Sequence, residues 1–399
     1  MNSRQRVQTV LQRKVPDRIP CGLGGCETAG LHVLAYEKLQ SVLGVDKKPP
    51  RLNTFMSNAV FEMDVLDKLE ADILLVDSHR MCKASLRGAD YESQWKEQTL
   101  WGRTLKVAKS DVFETRSDGT VVWKTGRDLV CPPGSFFFDA PEVTDLTADF
   151  SYVDPENYNP PHSLGEEFLR NLEELTKKLY NETEYSLCLG ETITDLQIAP
   201  GGAIGSMVLM MEEPEVMKAF LQKSLESALA QLVELDQAVG KYVDILSIAH
   251  DFGDNKCVTI GDGLWREIYK PFYMELFTRW GQITSMKSNF HSCGSIYSIL
   301  GDLVECGLDI YNPVQLSATD MEASKLKNEF GDKLIFWGGA YDSQLFVNDE
   351  SVYKSVADTI RVLGKDGGYI FAGVHNLTPE IPESHLSEMI YAWRDVRQY

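Results

Sequence analysis

A histidine and a cysteine stand two residues apart in the segment Lys287–Gly294, whose sequence is KSNFHSCG. His291 and Cys293 offer the nitrogen and sulfur ligands that zinc and related transition metals prefer. The pair alone is a weak signal, because a packed histidine beside a buried thiol fits the same pattern. Whether it marks a metal site depends on the elements that position it and on the side chains that lie nearby.

Other polar residues follow apolar segments along the whole chain. They are Asp77, Glu191, His250, Asp251, Asn312, Gln315, Asp342, His375 and Asn376. Three of the seven histidines stand at such segment ends, which favours a functional cluster over random placement. Asp77 and Asp251 also have a structural alternative, since aspartate is a common helix N-cap.

The apolar segments themselves predict β-strands. Eight of them lie near residues 19, 73, 185, 245, 286, 308, 334 and 369, and helical patterns follow each one. Eight β/α units in one chain predict a (β/α)8 barrel of the α/β class, with a single domain over residues 1–399. In such a barrel the carboxyl ends of the strands surround one mouth, so the polar residues named above would face a common site.

Residues 80–160 interrupt this alternation after the second strand. The segments Asp111–Arg116 and Thr120–Thr125 flank Ser117-Asp118-Gly119, a pattern typical of an antiparallel hairpin. We therefore predict an insertion that contains a β-hairpin. Its aromatic residues could form a lid or a docking surface over the mouth, although packing into a small core is the more common role of such clusters.

Composition limits the classes of partner. The net charge is −20, with 59 acidic against 39 basic residues, which argues against binding to nucleic acid or to an anionic membrane. We find neither an apolar run of membrane-spanning length nor a signal peptide. Eight scattered cysteines without a CxxC pair indicate reduced thiols and a cytoplasmic location.

Several motifs together resemble the uroporphyrinogen decarboxylase superfamily, and more narrowly its cobalamin-dependent methyltransferase-like branch. They are DRIP at 17–20, KSNFHSCG at 287–294, YNPVQ at 311–315, FWGG at 336–339, and GGYIFA at 367–372 with His375, Asn376 and Pro382 beyond it. The resemblance implies a (β/α)8 barrel with its site in the mouth. True uroporphyrinogen decarboxylases carry an arginine-rich segment after the first strand, whereas Cys21–Gly30 has no arginine and contains Glu27. A substrate with many carboxylates is therefore disfavoured.

The resemblance also implies a metal site. The methylcobamide:coenzyme M transferases of this superfamily bind zinc through His-x-Cys and a later cysteine. His291 and Cys293 match the first pair, and His375 stands in the third position. Because His375 replaces a cysteine of the family, the sequence does not decide whether zinc is bound or whether the substrate is a thiol. Glu191, Asp251 or Asp254 would supply a carboxylate to the metal or orient one of the histidines.

The remaining strand-end residues complete the predicted site. Asp77 joins Glu191 and Asp251 as a catalytic candidate, and the predicted substrate-binding residues are His250, Asn312, Gln315, Asp342 and Asn376.

The function implied by the resemblance is corrinoid-dependent methyl transfer. A methyl group would move from a small methylated donor, most simply a methoxylated compound, to the cobalt of a corrinoid carried by a partner protein, with Zn²⁺ as Lewis acid. Three alternatives stay open: methylation of a thiol, a decarboxylase that uses Asp72 or Asp77, and a module that only carries or delivers a corrinoid or tetrapyrrole. A homodimer is compatible with each.

Overall fold

The computed structural model describes residues 1–76, 92–125, 128–139, 154–346 and 351–399. The helices of these residues are α1 Ser3–Leu11, α2 Val33–Leu43, α3 Met63–Leu69, α4 Glu166–Glu182, α5 Gly202–Glu212, α6 Pro214–Val239, α7 Asp262–Ile268, α8 Lys270–Ile283, α9 Tyr297–Cys306, α10 Ala323–Phe330, α11 Val352–Gly364 and α12 Glu383–Val396. None of them combines the length and the apolar character that a bilayer crossing requires.

The strands of the same residues are β1 Arg51–Asn53, β2 Asn58–Val60, β3 Ile73–Leu75, β4 Trp95–Leu100, β5 Arg103–Ala108, β6 Val112–Thr115, β7 Val121–Lys124, β8 Leu129–Cys131, β9 Ser186–Leu189, β10 Ile245–Ala249, β11 Lys287–His291, β12 Ile310–Asn312, β13 Ile335–Trp337 and β14 Tyr369–Ile370. Seven of them form a parallel sheet in the order β14-β13-β12-β11-β10-β9-β3. Helices separate most neighbouring strands along the chain, as parallel pairing requires.

The segment around Cys21 closes this sheet into a barrel. Phe371, directly after β14, donates its N–H to the carbonyl oxygen of Pro20, and Asp72, directly before β3, donates its N–H to that of Cys21. Pro20 has no N–H, and the Asp72 side chain accepts the N–H of Cys21 at 2.8 Å. Because neither residue donates to a neighbouring strand, this eighth segment does not form a regular strand. The predicted (β/α)8 barrel is confirmed, with all eight segments where the apolar pattern places them.

The barrel interior is filled by alternate strand residues. They form one buried cluster with Val7, Val10 and Leu11 of α1: Ile73, Cys188, Ile245, Ile310, Ile335, Trp337, Ile370 and Ala372. Helix α1 therefore closes the amino-terminal end of the barrel. On β11 the alternation turns Asn289 towards Ser247 inside the barrel and Phe290 towards Tyr273 and Phe277 of α8. The same alternation places His291 on the interior side, at the carboxyl end.

Strands β1 and β2 and the strands of residues 92–139 form two smaller sheets beside the barrel, a mixed one and an antiparallel one. One has the order β2-β1-β5-β4 and the other β6-β7-β8. Strands β6 and β7 pair across the Asp118-Gly119 turn, where Gly119 has φ +90°. Trp101, Trp123 and Phe138 pack together beneath β6–β8 as a small core. The predicted limit of the insertion at residue 80 lies outside the described residues.

Candidate metal centre

Three side chains with metal-binding atoms meet at the carboxyl end of the barrel. His291 is the last residue of β11, Cys293 follows it in the next loop, and His375 lies in the loop after β14. One ligand atom from each lies within 4.8 Å of the other two. Nε2 of His291 is 3.3 Å from Sγ of Cys293, and the two imidazole centroids are 5.1 Å apart. The structure thus brings the three predicted ligands together.

The loop that carries Cys293 depends on a glycine. Gly294 has φ +81°, a conformation that side chains other than hydrogen rarely allow. A Cβ atom at this position would also lie 2.5 Å from the carbonyl oxygen of Asp254. The KSNFHSCG motif therefore needs its final glycine so that the chain can turn sharply after Cys293.

Side chains from neighbouring strand ends fix the same loop. Asp251 Oδ1 accepts the backbone N–H of Cys293 at 2.9 Å, and Gln315 Oε1 accepts that of Gly294 at 2.8 Å. Gln315 is itself held through Nε2 by the amide oxygen of Asn255 at 2.8 Å. Asp251, predicted for catalysis, and Gln315, predicted for substrate binding, both position the ligand loop in this structure.

Asn312 determines which nitrogen of His291 faces the cluster. Its Oδ1 lies 2.8 Å from Nδ1 of His291, and its Nδ2 donates to the carbonyl oxygen of Trp337 at 3.1 Å. Thr28 donates its hydroxyl to the same Oδ1 at 2.8 Å. Because an amide oxygen only accepts, Nδ1 of His291 carries the proton and Nε2 presents its lone pair to Cys293. Support of this kind is typical of metal-ligating histidines.

The protonation states of the cluster suit a soft divalent cation. Burial, with a smaller contribution from Asp251, raises the pKa of Cys293 to about 12. Burial and the neighbouring His291 lower the pKa of His375 to about 3, and burial also lowers the pKa of His291. Both imidazoles are therefore neutral and able to bind a metal, while the thiol would release its proton to a cation. Two nitrogens and one sulfur fit a catalytic zinc with three protein ligands and one open position.

A cavity of about 280 Å³ opens beside Cys293 and His375. Its other lining residues are Gln315, Tyr341, Asp342, Ser343, Gln344, Val374, Asn376, Leu377, Thr378 and Ile381. Three residues predicted to bind substrate, Gln315, Asp342 and Asn376, are among them. A larger open groove of about 560 Å³ between α2 and residues 379–383 contains none of the three ligands. The cavity at the cluster is the better candidate for a substrate.

Tyr341 is a cavity residue that the sequence analysis missed. Its ring stacks on Phe346 with centroids 5.0 Å apart, and its hydroxyl lies 3.1 Å from Nδ1 of His385. Burial raises its pKa to about 12, so the hydroxyl stays protonated. The signal that could have found it is its place directly before Asp342, in the loop after β13.

Two of the predicted substrate-binding residues do not reach the cavity. Asn312 is fully buried against His291 and Thr28. His250 lies between β10 and α8, where Nδ1 is 2.9 Å from the Tyr273 hydroxyl and the ring packs on Phe252 with centroids 3.9 Å apart. Ala249 is the β10 residue opposite His291, so the next residue points out of the barrel.

The carboxylates predicted for catalysis lie in different surroundings. Glu191 follows β9 and donates its backbone N–H to Oε1 of Glu27 at 2.8 Å. Glu27 lines a separate cavity of about 30 Å³ with Asn53 and Asn58, which is room for one water molecule. Asp77 lies outside the described residues.

Asp72, the residue named for a decarboxylase, sits at the opposite end of the barrel. It is fully buried just before β3. Its Oδ1 accepts from Arg6 at 2.7 Å, and its Oδ2 accepts from Arg18 and from the N–H of Cys21, both at 2.8 Å. This network ties α1 to the barrel, so the proposed catalytic role for Asp72 is wrong.

Comparisons with known proteins agree with this fold. Residues 201–396 match the family model described as "Uroporphyrinogen decarboxylase (URO-D)". A solved structure titled "methyltransferase from Methanosarcina mazei" is similar, with 12% identity, a TM-score of 0.57 and coverage of 99% of each chain. At that identity the likeness shows a shared fold.

A second similar structure is a B12-independent methionine synthase from Shewanella sp. W3-18-1 in complex with selenomethionine. It has 10% identity and covers 95% of this chain and 94% of that chain, but its TM-score is 0.34, too low to support an argument. No curated protein sequence matches the chain. The family-model match over residues 201–396 and the closed barrel thus agree with the resemblance to the uroporphyrinogen decarboxylase superfamily that the sequence motifs indicate.

Proposed function

We propose that the protein is a corrinoid-dependent methyltransferase. It would move a methyl group from a small methoxylated donor to the cobalt of a corrinoid that a partner protein carries. The observation that carries the proposal is the cluster of His291, Cys293 and His375, whose ligand atoms lie within 4.8 Å at the barrel mouth. The adjoining cavity, about 280 Å³, gives a small donor access to two of these ligands.

The three ligands would hold a zinc ion, which would supply Lewis-acid chemistry to the donor's ether oxygen when bound. Asn312 keeps Nε2 of His291 free for this purpose, and Asp251 keeps the backbone of Cys293 in place. The Asp251 carboxylate, 3.6 Å from Nε2 of His291, adds negative charge that favours a cation at the cluster.

The bond changes of the proposed reaction are simple. The methyl–oxygen bond of the donor breaks, a carbon–cobalt bond forms at reduced cob(I), and the electron pair stays on the oxygen, which then takes a proton from water. Stabilising that developing negative charge is the difficult part of the step. The cavity suits a small donor and not a corrin ring, so the cobalt would approach from outside the mouth.

The test combines metal analysis with a spectroscopic assay of cob(I)alamin methylation, using a panel of methyl ethers and methylamines. We expect about one zinc per chain and methyl transfer from an ether. His291→Ala and Cys293→Ala should lose both metal and activity while the circular dichroism spectrum is retained. The matched controls are His162→Ala and Cys257→Ala, which change an exposed histidine and an exposed cysteine away from the cluster.

Two results would contradict the proposal. Metal-free protein that transfers no methyl group but releases CO₂ from a carboxylated substrate would identify a decarboxylase. Metal and activity retained in both cluster variants would show that His291 and Cys293 are not ligands.

A further inference from the structure

The cavity beside the metal ligands has no cationic side chain among the lining residues that the structure describes. Its polar members are amides, hydroxyls and one carboxylate, that of Asp342. The proposed zinc ion would add little net positive charge, because the Cys293 thiolate and the Asp251 carboxylate beside His291 would offset its two charges. An anionic group on the part of a ligand that lies away from the metal position would meet no cationic side chain among the described lining residues, and an unpaired buried charge is costly.

The carboxylate of Asp342 is fixed in the cavity wall. It is 3% exposed, and its two oxygens accept the backbone N–H groups of Ser317 at 2.9 Å and Gln344 at 3.0 Å. It cannot turn away from an approaching anion without breaking both bonds. Asp251 adds a second carboxylate next to His291, and the chain as a whole carries a net charge of −20. All three features repel anionic ligands.

The rest of the wall suits a small uncharged ring. Tyr341, Val374, Leu377 and Ile381 supply apolar surface, and stacking on Phe346 holds the tyrosine ring in place. Tyr341 is the single aromatic residue of the described lining other than His375, whereas sites for quaternary ammonium groups surround the cation with several aromatic faces. A volume of about 280 Å³ is at the lower end of the range for ligand pockets, which favours one ring over two.

We infer that the methyl donor is an uncharged monocyclic methyl ether of the methoxyphenol class, and that methoxybenzoates are excluded. This inference rests on the proposed function, because it names the donor for the same site. It goes further because it assigns the selection against anionic donors to the Asp342 carboxylate and to the lack of a cationic side chain among the described lining residues.

Binding to the zinc-loaded protein, measured by calorimetry without any corrinoid, tests the inference. The ligands share one ring and differ in charge: 4-hydroxy-3-methoxybenzamide is neutral, 4-hydroxy-3-methoxybenzoate is anionic and 4-hydroxy-3-methoxybenzylamine is cationic. We expect the amide to bind most tightly and to exceed the benzoate by at least about tenfold. Benzoate binding as tight as the amide, tightest binding by the benzylamine, or no binding by the amide would overturn the inference.

A lysine placed in the wall provides the complementary test. Gln344 lines the cavity and is exposed, so Gln344→Lys should be tolerated and should raise the ratio of benzoate to amide affinity by about fivefold or more. Gln222→Lys makes the same charge change on the exposed side of α6, away from the cavity, and should leave that ratio unchanged. An unchanged ratio in Gln344→Lys, or an equal rise in both variants, would refute the assignment to this wall.

These measurements separate the inference from the proposed function. Protein that binds the three ligands in the expected order but never methylates cob(I)alamin would refute the methyltransferase proposal and leave the charge selectivity standing. Protein that methylates cob(I)alamin fastest from the benzoate would support the methyltransferase proposal and overturn the inference.

Discussion

Asn312 links the barrel interior to the metal ligands more directly than any carboxylate at the mouth. Its amide oxygen receives hydrogen bonds from His291 and Thr28, and its amide nitrogen donates to the carbonyl oxygen of Trp337. Because the amide group is fixed at both ends, it sets the tautomer of His291. Asn312 is therefore a positioning residue.

Replacing Asn312 should weaken metal binding without removing a ligand. In Asn312→Ala, the buried Nδ1 of His291 loses its acceptor, and we expect zinc affinity to fall by about 10-fold to 100-fold. Competition with a chromophoric chelator measures this change. Asn289→Ala is the matched control, because Asn289 is a buried asparagine of the same strand whose described hydrogen bond goes to Ser247. Equal affinity in both variants would show that Asn312 has no positioning role.

At the residue scale, the sequence was sufficient to predict which histidine and cysteine side chains meet in the cluster, but not which residues hold them in place. Histidine and cysteine are distinctive enough that His291 and Cys293 stand out by type and spacing, and the family resemblance added His375. The roles of Asn312 and His250 depend on which way each side chain points at a strand end. That direction follows from the register between neighbouring strands, which apolar segments do not specify.

The interface between β10 and α8 contains a histidine that burial keeps uncharged. His250 packs against Phe252, Tyr269 and Tyr273, and burial lowers its pKa to about 3. The unfolded chain would bind a proton at this side chain near pH 6.5. Since the folded pKa is below the unfolded one, the favourable contribution of neutral His250 is complete above pH 6.5 and is lost as pH falls towards 3.

His250→Phe should make the fold less sensitive to acid. Between pH 7.5 and pH 5.0, His250 should cost the wild-type protein about 2 kcal/mol of unfolding free energy, and the variant should be spared that loss. At pH 7.5 the variant should be slightly less stable, because the Tyr273 hydroxyl loses its partner. Urea unfolding at both pH values measures the difference. His162→Phe, at an exposed site, is the control, and an equal acid loss in wild type and His250→Phe would contradict the expectation.

At the element scale, apolar strands were predictable and polar ones were not. The barrel strands alternate with helices, and their buried residues give a strong pattern. Strands β1 and β2 have three residues each, Arg-Leu-Asn and Asn-Ala-Val. They become strands because they pair with each other and because β1 also pairs with β5. No local pattern indicates a partner that lies about 50 residues away.

In the whole molecule, the contacts that stabilise the barrel and the candidate metal centre lie at opposite ends. At the amino-terminal end, α1 fills the opening and its Arg6 pairs with the buried Asp72. At the carboxyl end, the loops after β11 and β14 leave a cavity beside three metal-binding side chains. This division is typical of the barrel architecture, and it explains why Asp72 is structural although it resembles a catalytic aspartate in sequence.

The fold was predictable as a whole because eight repeated β/α units leave few other architectures. The position of the candidate site at the strand ends was predictable. The contacts between its side chains were predictable only in part. The cavity wall formed by Tyr341 and Leu377 comes from loops after two different strands, and loop conformation is not encoded in periodicity.

X-ray absorption at the zinc edge of the loaded protein tests the His/Cys/His centre most directly. We predict one sulfur at about 2.3 Å and two imidazole nitrogens at about 2.0–2.1 Å. Cys293→Ser should remove the sulfur shell, whereas Cys257→Ser, at an exposed cysteine outside the cluster, should leave it intact. A spectrum without sulfur in the wild-type protein, or a sulfur shell that survives in Cys293→Ser, would contradict the account of this centre.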